Sequence, residues 1–444
     1  MLDNIKSSYI LNILFKYIHN KKKLNLIKYN KKLLNRLNIS SENFKVYECL
    51  KEFNLKYDAN IEDIDIEILE QKSKNLNNEG LEYFEKIGFI NLKKIILNTN
   101  DISNISSLEN LNLKNLIELD LSKNNISEIK VFEKLNLIDL KKLFLNENKI
   151  SDIKILDKVN FPNLEELDFS ENKIANIDVL ENLNLLKMKI LSFYNNKISD
   201  INIFENVNFP NLEELDLCDN NINIINVLEK VNFPNLETLE LSQNEISNIN
   251  VLQKVNFNKL KILNIGYIDI SNLDILAKLN FKKLEELDLS YNNISTINIL
   301  EIVNFKELKI LDLSNNEISD ISIMEKVDFK KLEILVLSNN KISDINIFKK
   351  TNFKNLKNLL LDGNKISNIN ILEEINFEGL ITLDLRFNEI LSKNILEKIK
   401  LLDIEERNKL SDQILFKGDN YTNLDDKCSI YYFINSKNLY FILI

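Results

Sequence analysis

The chain has 444 residues, a formal net charge of −10, no tryptophan, three cysteines and a single histidine, His19. Cys49, Cys218 and Cys428 form no CxxC pair, which argues against a disulfide framework and a zinc site, and one imidazole leaves little for acid–base or metal chemistry. No phosphate-binding glycine loop, nucleophile elbow or run of ~18 apolar residues occurs, so the expectation is a non-catalytic protein without cofactor, metal or membrane span, in a reducing, intracellular and cytoplasmic setting.

Residues 1–38 hold nine Lys or Arg against one acid, Asp3, so the head carries +8 and the remainder −18. That change of sign marks a module boundary. Within the head, Ile10, Leu11, Leu14, Tyr17 and Ile18, then Leu24, Ile27, Leu33, Leu34 and Leu37, recur at helical spacing around the polar break His19–Lys23. A small helical module over residues 1–40 is predicted, too short for an independent core, which therefore docks on the rest of the chain or folds with a partner.

Residues 41–91 read as a linker followed by a capping half-repeat. Leu81, Phe84, Ile87 and Phe89 fall on the apolar positions of later units, while "ILEQKSKNLNNEG" before them lacks the pattern.

Residues 92–403 are thirteen tandem units of 24 residues, LxxLxLxxNxIxxIxxLxxVxFxx. In the fourth unit the alternation Leu167, Phe169 predicts a short strand with Glu166, Asp168 and Ser170 on its other face, and the aliphatic residues after Asn172 step by three, as tight 3₁₀ turns require. Position eleven is Ile in every unit, from Ile102 to Ile390, which places it in the core. A coil cannot bury its two flat sides alone, so the units stack.

Position nine is Asn at Asn100, Asn124, Asn148, Asn172, Asn196, Asn220, Asn244, Asn292, Asn316, Asn340, Asn364 and Asn388. An amide both donates and accepts, so these residues are expected to form a structural ladder, satisfying backbone groups of their own coil and the next. Ile268 is the exception, in "NIGYIDI", where Gly266 also replaces the usual Ser. The readings are a tolerated local rearrangement or a kink or notch for a ligand.

These units resemble the leucine-rich-repeat family, in the short class typified by the regulatory subunit of type-1 protein phosphatase and by bacterial internalins. The match covers about seventy percent of the chain, with the unit lengthened by two residues from the family's 22. The resemblance implies an α/β solenoid: a right-handed superhelix with a parallel sheet on the concave face, 3₁₀ or short helical turns on the convex face, and partners bound on the concave side. The head also resembles an F-box, with Lys31, Lys32 and Arg36 where that motif is commonly basic, although its opening Pro and late Trp are missing. An F-box would dock on an adaptor of a cullin-type ubiquitin ligase; the other reading is a helical cap.

The strand positions facing the partner carry an acidic column, Asp120, Asp168, Asp216, Glu240, Asp288, Asp312 and Asp384, and a second with Glu118, Glu166, Glu214 and Glu286. Stacked strands gather these into a negative band that disfavours nucleic acid and suits a basic protein; the alternative is inherited, merely solvated charge. Phe144, Tyr194, Tyr267, Tyr291 and Phe387 break the repeat consensus on the same face and are the expected interface anchors.

Residues 404–444 end in the apolar "IYYFINSKNLYFILI", expected as a terminal cap or a partner-binding tail. The function expected is a protein-interaction scaffold selecting substrates for a cullin-type ligase. A phosphatase regulatory subunit or cytoskeletal scaffold is the alternative within binding functions, and a secreted adhesion protein, lacking an evident export signal, the alternative from another class.

Overall fold

A computed structural model of the chain describes residues 41–61, 65–374 and 379–390. The predicted head, 1–40, and terminal segment, 404–444, lie outside the described residues, as does the end of the thirteenth unit.

The structure opens with helix α1 (Ser41–Lys56), strand β1 (Ile68–Glu70) and helix α2 (Asn78–Ile87). Asn77 caps α2 by accepting from the Gly80 N–H, and Gly88 ends it at φ 64°, where its N–H reaches Phe84 O at 2.9 Å. Leu81, Phe84 and Ile87 are buried on the inner face of α2; Phe53 of α1 packs on Phe84, and Tyr57, just past α1, packs on Phe53. Among the described residues, this aromatic layer closes the N-terminal side of the array.

The segment that appears patternless in the sequence carries β1. Ile68 pairs with Lys94, an offset of 26 residues, whereas Lys94 pairs with Glu118 at an offset of 24. Two additional residues put this strand out of phase with the later repeats and so conceal it.

Fourteen parallel strands, from β1 through β2 (Lys94–Ile96) to β14 (Thr382–Asp384), form one sheet in strict sequence order. From β2 onward each residue faces its own repeat position in the next coil, as Glu286 faces Ile310 and Asp288 faces Asp312. A strand can return beside itself only through a crossover, supplied here by a convex 3₁₀ turn of four or five residues such as Asp178–Asn182 or Ser322–Glu325. Most turns are launched by a polar residue two positions earlier: Asn176 Oδ1 accepts from Asp178 N at 2.9 Å, and Asp320 Oδ1 from Ser322 N at 2.8 Å, whereas Ile224 stands at this position before the turn at Asn226.

The core runs between sheet and turns. Ile102 to Ile366 at position eleven are buried, each contributing ~1.5 to 3 kcal/mol. Ile390 is only partly buried. Phenylalanines of neighbouring coils stack nearly parallel, Phe169 on Phe193 with ring centroids 5.8 Å apart and Phe209 on Phe233 at 6.2 Å.

The twelve asparagines at position nine are all buried. Asn124 Nδ2 donates to Leu121 O and Ser122 O of its own coil and to Leu97 O of the coil before, and its Oδ1 accepts from Ile102 N at 3.0 Å. The ladder therefore bridges to the preceding coil, where the sequence reading had the next one. The strand–turn carbonyls face inward and toward the N-terminal neighbour, which fixes that direction.

Candidate partner-binding face

The acidic column lies on the concave side of the strands, and its six aspartates share a local structural task. Asp120, Asp168, Asp216, Asp288, Asp312 and Asp384 each accept, through Oδ1, the backbone N–H two residues ahead at 2.8 to 3.0 Å. Asn264 holds the Gly266 N–H in the same way at 3.1 Å. A carboxylate or amide at this position ends the strand by occupying a donor that the next coil does not use. Part of the acid repetition is thus architectural, a role the composition-based reading missed and the i, i+2 spacing to Ser allowed.

Charge balance along the face is uneven. Near the N-terminus Lys94 pairs with Glu118 and Lys142 with Glu166, both at 2.7 Å, and at the far end Arg386 pairs with Asp384 at 2.6 Å. Between them, no Lys or Arg among the described residues pairs with Asp168, Glu214, Asp216, Glu240, Glu286, Asp288 or Asp312.

Burial and unrelieved repulsion act together on this stretch. Burial first, and then Asp216, push the Glu240 carboxyl up to about 8. Glu286 rises to about 7 through burial and Asp288, and Asp312 to about 7 through burial and Asp288. Asp168, Glu214, Asp216 and Asp288 are raised as well, with burial the main cause in each. Among the described residues, no three His, Cys, Asp or Glu side chains converge as metal ligands would.

The five predicted aromatic anchors do not form one cluster. Phe144 is half-buried in the acidic column at the first third of the array, and Tyr194 stands two positions past its strand. Tyr267 and Tyr291 come together, with ring centroids 5.7 Å apart at 48°. They are 59% and 47% exposed, and Phe387, four coils further on, is 67% exposed.

Tyr267, Tyr291 and Phe387 share position eight, where every coil from Thr99 onward has a left-handed backbone. That conformation costs a side chain bearing Cβ roughly 1 to 2 kcal/mol and suits Asn, Asp and Gly. Asn195, Asp219, Asn315, Asn339 and Gly363 at this position were the available sequence signal.

Ile268 leaves a fault beside the tyrosines. It is buried but brings no amide, so the Ile246 N–H lacks the acceptor that Asn292 gives to Ile270 N at 3.1 Å. Asp269 joins Tyr267 in the left-handed region, at φ 61°. Of the two readings of this segment, the structure contains a local rearrangement of the backbone.

The family model for Leucine Rich repeats matches residues 138–182, 282–327 and 306–350. The chain carries leucine-rich repeats over those residues and folds as a parallel-sheet solenoid. It is similar to an internalin (inlF) from Listeria monocytogenes at 27% identity over 73% of this chain and 87% of that one, with a TM-score of 0.58. A leucine-rich-repeat protein of Leptospira interrogans shares the fold at 22% identity over 83% and 98% of the two chains, TM-score 0.55. So does the ectodomain of a plant membrane receptor kinase from Arabidopsis thaliana, at 19% identity over 78% of this chain and 43% of that one, TM-score 0.52. No curated protein matches the chain.

This leucine-rich-repeat solenoid is a non-catalytic, concave-sheet module for protein–protein interaction. No helix among the described residues is long and apolar enough to cross a membrane. Two expectations are corrected. The intracellular, cytoplasmic location and the ubiquitin-ligase adaptor role are overturned by the likeness to an internalin. The physical reason is that stacked coils gain their stability from an aliphatic core, so scarce cysteines say nothing about the redox compartment. The F-box resemblance lies in residues 1–40, outside the described residues.

Proposed function

We propose that the protein is a secreted or surface-held adhesion module that grips a basic protein partner along the concave sheet between Asp168 and Asp312. One observation carries the basic-partner reading: seven acids on this stretch have no cationic partner among the described residues, whereas Glu118 and Glu166 before it and Asp384 after it do. A partner's Lys and Arg side chains supply what the groove lacks and relieve its repulsion. The internalin likeness, covering most of both chains, supports the adhesion class.

Two measurements test this. Asp168→Asn, Asp216→Asn and Asp288→Asn together keep the Oδ1 acceptor, as Asn264 does naturally, and remove three charges. The triple variant is expected to keep its fold and to bind an oligolysine peptide more weakly, with a shallower salt dependence. Unchanged, salt-independent binding rejects the acidic band as the contact surface. Immunodetection on unpermeabilised cells and in culture medium tests the adhesion reading, and finding the protein confined to the cytoplasm rejects it.

A further inference from the structure

The ladder fault and the tyrosine pair occupy the same two coils, and their coincidence with the unbalanced acids has a chemical meaning. At position eight the repeat readily places Asn, as in Asn315 at φ 54° and Asn339 at φ 53°. Two adjacent coils instead hold Tyr267 at φ 53° and Tyr291 at φ 50°, with large apolar rings turned to solvent. Neither backbone preference nor burial accounts for this choice, and a local rule broken without structural return is the mark of a functional position.

The neighbouring side chains define what the rings face. Burial, Asp312 and Tyr267 push the Tyr291 phenol up, so Asp312 lies within electrostatic reach of the ring pair. Asp288 and Asp312 face each other on paired strands, and each commits Oδ1 to a backbone N–H. Gly266 lacks the hydroxymethyl that Ser242 and Ser290 carry at its position; a Cβ there would stand 3.2 Å from Asp288 Oδ1 and 2.9 Å from Ser290 Oγ. Among the described residues no Lys or Arg lies over either ring or pairs with either carboxylate.

We propose that Tyr267 and Tyr291, with the carboxylates of Asp288 and Asp312, receive an arginine side chain of the bound protein, the guanidinium lying against the rings and its edge on the carboxylates. This rests on the reading of a basic partner on the concave face and names the residue that anchors it. A guanidinium is planar and weakly hydrated, stacks on aromatic faces and forks onto carboxylates. A lysine ammonium is a hydrated point charge that satisfies the acids but leaves the rings unused. The aromatic half of the site therefore selects arginine, and the acidic half accepts either cation.

The test compares oligoarginine and oligolysine peptides of equal length on the full chain by titration calorimetry. The natural chain is expected to bind the arginine peptide about tenfold more tightly. Tyr267→Asn with Tyr291→Asn installs the residue that neighbouring coils already carry, so the fold is kept. In that variant the arginine preference should vanish while lysine binding stays unchanged. An arginine preference surviving in the variant, or equal binding of the two peptides by the natural chain, overturns the inference and leaves the basic-partner reading standing. If neither peptide binds, the basic-partner reading falls and takes this inference with it.

Discussion

Asn292 Oδ1 accepts from the backbone N–H of Ile268 at 3.3 Å as well as from that of Ile270 at 3.1 Å. One amide thus serves two donors where the coil before it has none to offer. From Asn100 to Asn220 the position-nine N–H donates instead to a carbonyl of the next coil, as Asn124 N does to Glu147 O at 3.2 Å. The array continues across the fault with its strands still in register, Leu263 opposite Leu287, but with fewer bonds tying the coils together.

Ile268→Asn should mend the ladder. The new amide would reach Leu241 O and the Ile246 N–H, as Asn292 reaches Ile265 O and the Ile270 N–H. The gain expected is about 1 kcal/mol, since restored bonds are partly offset by lost apolar burial. A rise in the denaturation midpoint and slower hydrogen exchange at the Ile246 amide check it; a fall in both refutes the account of the fault.

The opposite change belongs at an intact rung. Asn172→Ala strands the Ile150 N–H and takes one donor from each of the carbonyls of Leu145, Phe169 and Ser170, which keep their bonds from Asn148 Nδ2, Asn196 Nδ2 and Glu147 N. One stranded buried N–H costs about 1 to 3 kcal/mol and the weakened carbonyls add to it, so a loss of about 2 to 3 kcal/mol is expected in chemical denaturation. A loss below about 1 kcal/mol contradicts a structural role for the ladder.

Ile174 is fully buried at position eleven. Its truncation, Ile174→Ala, should cost about 2 to 5 kcal/mol, against about 1 for Ile174→Val, because neighbours in both adjacent coils hold the cavity open. Equilibrium urea unfolding distinguishes the two variants.

The acidic face makes stability depend on pH. Glu240, Glu286 and Asp312 are raised to about 8, 7 and 7, above their ordinary values near 4, so the folded chain holds protons that the unfolded chain has released. The stabilisation this gives is complete below the unfolded values and is lost as pH rises through the folded ones. The melting temperature should fall between about pH 5 and pH 8, by an amount equivalent to a few kcal/mol, and Glu240→Gln should flatten the profile. Binding of a cationic partner should run the other way, strengthening as these carboxyls ionise. A melting temperature that climbs over this interval would refute the sign of the argument.

The repeat itself was readable from the chain alone. Invariant Ile at position eleven, Asn at position nine and the alternation around each strand are local constraints applied in every coil, and they specify strands, turns and stacking without reference to distant residues. The first strand escaped because two extra residues displaced its phase. What the tertiary structure alone decided depends on contacts between coils: which acids keep a cation and which do not, that Tyr267 meets Tyr291 while Phe144 and Phe387 stand apart, and that the ladder reaches backward. Pairing across coils is set by side-chain direction and distance in space, and a periodic sequence offers every coil the same letters without saying how they lean.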